Sequence, residues 1–307
     1  MHAIVTGATG FFGGHLVREL TRQGWTVTAL VRRPVPGNHI LADLANDRLD
    51  PEPFRQADVV FHVAGVLSDW ATWPHFLANT VEATRRVTEA TQGRLVYISS
   101  VSVYGRPRTP EPIEESRPPR SMGRWNYYMR TKLMAEEIVR QKNATIIRPA
   151  IMYGTGDHTV LAGVVDSLRH GKVAFLGNPE TPLPLVDVRD VARGTILAAS
   201  VPGEAFNIVS PETITQREYF NTIAGLIGAP PVTKRVPYRL AYAAGFATEV
   251  AGHLLRLKTV PLTRHRVSLF GHRRIYSIEK AKRMLGWEPV IKFQDGIRSA
   301  LHAADKP

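Results

Sequence analysis

Three glycines at three-residue spacing, Gly7, Gly10 and Gly13, stand between a short apolar run and an amphipathic stretch. The run before them, His2-Ala3-Ile4-Val5, is strand-like, and the residues after them repeat apolar positions at helical spacing. Glycines at such a joint permit a tight turn, close approach of backbone to a phosphate, and close packing of helix on strand. The helix start then offers free N–H groups and a partial positive charge to an anion. In this context the pattern predicts a dinucleotide cradle made of Gly7, Gly10, Phe11, Phe12 and Gly13.

The chain that follows supports the same architecture. Residues 3–6, 26–31, 59–63, 95–99 and 145–148 read as strands, and 14–23, 75–91 and 127–141 as the helices between them. Alternation of this kind predicts an α/β fold with a doubly wound parallel sheet. Beyond Arg148-Pro149 the alternation becomes irregular. A proline-rich loop spans 178–184, a helix runs from Asp190, the expected N-cap, to about Ser200, and 205–209 reads as one more strand. The expected division is a dinucleotide-binding domain over 1–150, to which 185–209 returns. A smaller, mostly C-terminal substrate-binding region then takes 151–184 and 210–307.

With 307 residues, 44% hydrophobic and 21% charged, the chain has the makeup of an ordinary soluble globular protein. It contains no cysteine, which excludes disulfides and thiol catalysis and fits a reducing, cytoplasmic setting. No charged n-region precedes an apolar stretch at the N-terminus. The eleven histidines show no ligand spacing, so no metal is expected, and His15 and His62 read as packing or capping residues. The segment 240–257 is too short and too polar for a bilayer span and reads as a helix against the domain or another apolar surface. Net charge is +12, and between Ala229 and Gly286 only Glu249 and Glu279 oppose twelve lysines and arginines. That bias suits either an anionic partner or a solvated basic face. No nucleic-acid-binding signature accompanies it.

The second strand ends at Val31-Arg32-Arg33-Pro34. An acid in that place would hold a ribose 2′-hydroxyl, whereas a guanidinium pairs with a 2′-phosphate. Arg32 and Arg33 therefore favour NADP(H), with NAD(H) as the alternative.

Tyr128 and Lys132 lie four residues apart, on one face of a helix. An ammonium beside a phenol is expected to lower the phenol pKa, so that it can exchange a proton with a carbonyl or alcohol oxygen while hydride moves. The lysine can also hold the nicotinamide ribose. Ser100, just past the strand at 95–99, can orient the substrate oxygen. A second pair at the same spacing, Tyr276 and Lys280, lies far outside the nucleotide-binding unit and is set aside.

These motifs resemble the extended short-chain dehydrogenase/reductase family, within the NAD-dependent epimerase/dehydratase superfamily. The likeness runs almost end to end, through the glycine turn, Ala42-Asp43-Leu44, His62-Val63-Ala64-Gly65, Asn79, Ser99-Ser100, Val103-Tyr104-Gly105, Tyr128 to Lys132 and Arg148-Pro149. By that resemblance Ser100, Tyr128 and Lys132 are the catalytic trio. Asp43 and Leu44 would line the adenine, Ala64 and Gly65 would run along the cofactor, and backbone near Pro149 and Ile151 would contact the nicotinamide amide. Asn79 would serve structure more than chemistry, and a homodimer is implied. The stretch 185–192 and Val236-Pro237-Tyr238 look like the branch of 3β-hydroxysteroid dehydrogenases and dihydroflavonol reductase-like enzymes. The implied activity is an NADP(H)-dependent interconversion of a ketone and a secondary alcohol on an apolar ring or acyl substrate. The alternative is a nucleotide-sugar epimerase or dehydratase with tightly bound NAD. A dinucleotide-binding scaffold without catalysis is disfavoured by the intact trio.

Overall fold

The computed structural model describes residues 1–106, 111–120 and 125–304. Its centre is a seven-stranded, wholly parallel sheet. In chain order the strands are β1 (His2–Thr6), β2 (Thr26–Val31), β3 (His39–Leu41), β4 (Val59–His62), β5 (Arg94–Ile98), β6 (Thr145–Pro149) and β7 (Ala205–Ile208). They lie side by side as β7-β6-β5-β4-β1-β2-β3. Helices cover both faces, so the central strands are apolar almost without interruption. Successive side chains still choose opposite sides. Val5 and Val96 pack with Leu16 and Phe206 on one face, while Ile4 and Tyr97 pack with Val60 and Val139 on the other.

Strand order reverses between β1 and β4, whose carboxyl ends meet in register at Thr6 and His62. Ligands of open α/β sheets bind at such a reversal.

Helix α1 (Phe11–Arg22) begins three residues earlier than its apolar pattern suggests, because Gly10 already has the extended backbone of an N-cap. The helix expected over 75–91 is three pieces: Trp73–Phe76, a π-helical segment Leu77–Glu82, and Ala83–Ala90. The edge strand β3, only three residues long, escaped the sequence pattern altogether. Helix α2 (Tyr127–Arg140) starts at Asn126, whose side chain accepts from the Met129 N–H at 3.1 Å.

Helix α3 (Val188–Ala198) corrects one expectation. Its N-cap is Asp187, which accepts from the Arg189 N–H at 2.9 Å. Asp190 lies inside the first turn, fully buried, and accepts from the backbone N–H groups of Val290 and Ile291 at 3.2 and 3.0 Å. Its carboxylate serves a distant segment and pairs with Arg193 of its own helix at 3.4 Å, and it does not cap the helix N-terminus.

The C-terminal part has a core of its own, with Tyr153, Leu161, Phe175, Tyr219, Phe220 and Phe293 in one cluster. The stretch Leu185–Asp187 pairs in parallel with Ile151–Tyr153, apart from the main sheet. Helix α4 (Tyr238–Leu254) buries Ala241, Gly245, Glu249 and Gly252 and leaves Leu240, Phe246 and Leu254 exposed. Among the described residues no helix is long and apolar enough to cross a membrane. Helix α5 (Arg264–Gly271) follows, and its Arg264 is paired with Glu249 of α4 at 2.7 Å.

Candidate active site

The glycine turn has the form its spacing implied. Gly7 adopts φ +66°, and a Cβ on Gly13 would lie 2.0 Å from the Gly7 carbonyl oxygen, so the turn admits no side chain there. The Gly10 N-cap offers no side-chain acceptor, which leaves the first amides of α1 for a ligand. A Cβ on Gly7 would also lie 3.0 Å from the Ala64 backbone, so the turn and the end of β4 lie against each other. The Phe12 side chain is buried in the core, and the Phe11 ring meets His15 edge-on at 5.7 Å. These two residues face the cradle with their backbone. His15 in turn bonds the Thr155 carbonyl at 2.8 Å.

A hydrogen-bond chain ties the strand reversal together. The Thr6 hydroxyl oxygen accepts from the Val63 and Ala64 N–H groups at 3.1 and 3.0 Å, so its own proton goes to His62 Nδ1 at 2.8 Å. His62 Nε2–H then donates to Thr84 Oγ1 at 3.0 Å, and Thr84 donates to the Thr80 carbonyl. The network assigns the tautomer. Burial first, and Lys132 second, push the His62 pKa down to about 3. His62 is a structural clamp, as its packing role implied.

At the far end of the cradle, Arg32 and Arg33 are exposed immediately after β2. Asp43 accepts from Ala45 N–H and Asn46 Nδ2, and Arg32 adds to the lowering of its pKa, which places that guanidinium near the Asp43 turn. Leu44 packs its side chain into the core and gives its carbonyl to Arg86 at 2.6 Å. Pro149 ends β6, and the Ile151 N–H is taken by the Pro184 carbonyl at 3.0 Å. An N–H contact from Ile151 to a ligand is therefore closed.

Ser100, Tyr128 and Lys132 converge at the carboxyl edge of β5. Ser100 caps the short turn Val101–Tyr104, accepting from the Ser102 N–H at 3.1 Å, and it lies near enough to Tyr128 to influence its titration. Lys132 donates to the Ile98 carbonyl at 2.7 Å, and its Nζ stands 5.0 Å from the centre of the Tyr97 ring. A Cβ on Gly65 would lie 3.4 Å from that Nζ, so the Gly65 backbone borders the site.

The electrostatics differ from the expectation in one respect. Burial raises the Tyr128 pKa above its ordinary value, and the opposing influence is Ser100 rather than the lysine. Lys132 is itself pulled to about 8 by burial, partly offset by Glu136. The ammonium is held toward Ile98, so desolvation outweighs it at the phenol. Tyr128 is thus a neutral phenol at neutral pH, suited to giving a proton.

Two neighbours of the trio emerge only with the structure. Glu136 accepts from Ser99 Oγ at 2.6 Å and binds Arg148 through two hydrogen bonds of 2.9 and 2.6 Å. It continues the four-residue spacing of Tyr128 and Lys132, a signal that was available. His265 of α5 brings its ring centre to 5.9 Å from that of Tyr128 and bonds Asn126 at 3.2 Å. No spacing announces it. The pair set aside is only half remote: Lys280 is bound to Glu204 at 2.6 Å, whereas Tyr276 folds back against Tyr104, with ring centres 5.9 Å apart, and lines the same gap as Val101, Ser102 and His265. Asn79 lies in the π-helical segment and donates to the His75 carbonyl at 3.0 Å, a structural bond. Among the described residues no His, Asp or Glu cluster could hold a metal.

Residues 3–209 match the model of the NAD dependent epimerase/dehydratase family. The chain belongs to that family. It is an NAD(P)-dependent enzyme of the extended short-chain dehydrogenase/reductase type. Over 332 aligned positions it is 28% identical to the 2-alkyl-3-oxoalkanoate reductase of Shewanella oneidensis, covering 97% of this chain and 84% of that protein. It is 26% identical to the sterol-4-alpha-carboxylate 3-dehydrogenase, decarboxylating, of Mus musculus, with 97% and 90% covered. Among solved structures it is similar to MoeE5 in complex with UDP-glucose and NAD, with a TM-score of 0.77, 25% identity, and 99% and 98% of the two chains covered. In this epimerase/dehydratase-family chain the matched span covers all seven sheet strands and stops short of His265 and the C-terminal helices.

Proposed function

We propose that the chain is an NADP(H)-dependent oxidoreductase that interconverts a ketone and a secondary alcohol on an apolar ring or acyl substrate. The observation that carries this reading is the convergence of Ser100, Tyr128 and Lys132 at the carboxyl edge of β5, with Ser100 near enough to a half-buried Tyr128 to lower its pKa and Lys132 Nζ anchored on the Ile98 carbonyl at 2.7 Å. The glycine turn fits a dinucleotide, since a Cβ would fill it and its helix amides are free of side-chain caps. Gly7, Gly10, Gly13 and the first amides of α1 would hold the pyrophosphate, Arg32 and Arg33 the 2′-phosphate, and Gly65 and Lys132 the nicotinamide end. NADPH held there would supply the hydride for the carbonyl carbon.

The chain's own residues do the rest. Tyr128 Oη–H gives its proton to the carbonyl oxygen, which becomes the alcohol. Ser100 donates to the same oxygen and holds it on line. Lys132, with a pKa of about 8, is mostly protonated at neutral pH and keeps positive charge beneath the reacting oxygen. Oxidation runs the same path backwards, with hydride and proton leaving the carbinol.

Beside Tyr128 the side chains of Val101, Met129, Pro184, Leu269 and Tyr276 surround a gap with room for about one water molecule, and their apolar character favours an apolar substrate. The names of the two relatives point the same way, each describing an oxygen on the carbon next to one bearing a carboxylate. The likeness to MoeE5 favours the second reading, a nucleotide-sugar enzyme with resident NAD.

Mass spectrometry of what the purified protein releases on denaturation, together with NADPH and NADH titrations, separates the two. Tighter binding of NADPH and turnover of apolar ketones support the reductase. Co-purified NAD that resists dialysis, with turnover of nucleotide sugars, overturns it.

A further inference from the structure

Helix α4 turns an apolar face to the outside. Leu240, Ala243, Ala244, Ala247, Ala251 and Leu254 recur along it at three- and four-residue spacing, and all six are exposed. The opposite side, with Ala241, Gly245, Glu249 and Gly252, is the buried one. A helix on a protein surface normally shows its charged side to water. Here the outward stripe carries no charge over a length of about 21 Å.

The turn that ends α4 extends the stripe. Leu254, Leu255 and Leu257 are 78%, 68% and 44% exposed. The backbone beneath them is fixed. The Leu257 N–H donates to the Gly252 carbonyl at 2.9 Å, and the Leu257 carbonyl accepts from the Trp70 indole at 3.0 Å. Gly252 lies so close to Trp70 that a Cβ there would stand 2.6 Å from the ring. Arg256, between the leucines, has φ +52°, the left-handed conformation that glycine usually supplies at such a helix end. Of the twelve large apolar side chains that the described residues leave exposed, five (Leu240, Phe246, Leu254, Leu255 and Leu257) fall between positions 240 and 257. The exposure therefore belongs to this element and not to the surface at large.

The charges around the stripe have one sign. Arg239 flanks one end and Arg256 and Lys258 the other, all three exposed, and among the described residues none of them pairs with a carboxylate. The acids of the neighbouring elements are already engaged. Glu249 is held by Arg264 at 2.7 Å, and Asp69 of the Trp70 loop by Arg266 at 2.7 Å. An apolar stripe with unanswered cations at both ends matches a bilayer with anionic headgroups, where apolar side chains enter the acyl boundary and cations meet phosphate. A second copy of the chain fits worse. Laid along the stripe in either direction, it would set cation against cation with no acid on the face to answer them.

We propose that α4 and the turn after it dock the protein on the surface of an anionic lipid bilayer. Leu240, Leu254, Leu255 and Leu257 enter the acyl boundary, and Arg239, Arg256 and Lys258 meet the headgroups. The helix lies along the surface and does not cross it. Phe246 of the same helix stacks on Trp125, three residues before Tyr128, with ring centres 6.0 Å apart. Docking thus brings lipid close to the candidate active site, an arrangement that suits an apolar substrate. The docking itself does not depend on the ketone–alcohol reading.

The test is flotation of the full chain with vesicles of phosphatidylcholine alone, or of phosphatidylcholine and phosphatidylglycerol in equal parts. The wild type should bind the anionic vesicles about 10-fold more strongly than the neutral ones, and lose most of that advantage in about 1 M salt, where the Debye length is about 3 Å. Leu254→Ser with Leu255→Ser removes apolar surface and no charge, and should weaken binding to anionic vesicles by about 10-fold. Leu197→Ser, at an exposed leucine of α3, should leave that binding unchanged. Arg256→Gln with Lys258→Gln keeps the leucines and so covers misfolding of the serine variant; its binding should fall toward that for neutral vesicles. No binding of the wild type to either vesicle overturns the proposal. So does full binding by the serine variant, which would mean attraction of a basic protein to any anionic surface. Dimers of the wild type and monomers of the serine variant in sedimentation velocity, with vesicle binding by neither, would assign the stripe to a second copy and overturn the proposal as well.

Discussion

Glu136 holds the Arg148 guanidinium with two hydrogen bonds of 2.9 and 2.6 Å, in a place where both side chains are almost wholly buried. Glu136 is one turn beyond Lys132 on α2, and Arg148 belongs to β6, so the pair fastens the helix carrying Tyr128 to the sheet. Arg148 also donates to the Tyr104 hydroxyl at 2.7 Å, and Tyr104 donates to Asn207 of β7 at 2.8 Å. Arg148 holds the Glu136 carboxyl below its ordinary pKa against the desolvation that would raise it.

Breaking this pair from one side leaves an uncompensated charge inside the protein. Glu136→Gln should cost about 3–5 kcal/mol in urea unfolding. The double change Glu136→Met with Arg148→Met should cost clearly less than the single one. If the two costs simply add, the pair is not the coupled unit the geometry describes.

Tyr128→Phe removes the proposed proton donor without touching the glycine turn. Turnover should fall by about 10²- to 10⁴-fold while NADPH binding, followed by fluorescence, changes little. Ser100→Ala removes the neighbouring hydroxyl that lowers the Tyr128 pKa, so the pH profile of alcohol oxidation should move to higher pH. Hydride transfer that persists in Tyr128→Phe would mean a different donor.

Arg32 stands exposed at the end of β2 beside the Asp43 turn. Arg32→Asp exchanges a cation for an anion where a 2′-phosphate would sit. NADPH affinity should drop by about 10- to 100-fold, the worth of a charged hydrogen bond, and NADH should become the preferred cofactor. An unchanged NADPH/NADH ratio would remove Arg32 from the cofactor site.

His62 titrates at about 3 in the fold and near 6.5 when unfolded. Between those values the unfolded chain binds the extra proton, so stability falls as pH falls through this window. His265 and His272, both pulled to about 4, act in the same direction. Urea unfolding at pH 6 and pH 4.5 should show this loss, and His62→Gln should lessen its slope by about 1.4 kcal/mol per pH unit. An identical slope in the variant would mean that His62 is not held neutral.

Sequence alone determined the parallel α/β sheet, the glycine turn and the proximity of Ser100, Tyr128 and Lys132. Each is written in residues close together in the chain: glycines three apart, a phenol and an ammonium one helical turn apart, a serine at a strand end. Short-range backbone geometry suffices to read them. Tertiary structure decided what depends on distant partners. Asp190 has every local mark of a helix cap, yet the backbone of Val290 and Ile291 claims it, and Asp187 caps the helix instead. The Tyr128 pKa was expected to follow its lysine neighbour and instead follows burial, which no spacing encodes. Arg274 is one of twelve cations in a basic stretch of sequence, and only its packing against Ser268 of α5 takes it out of water. Desolvation and long-range pairing are properties of the packed molecule, and they were legible only once the chain had been folded around them.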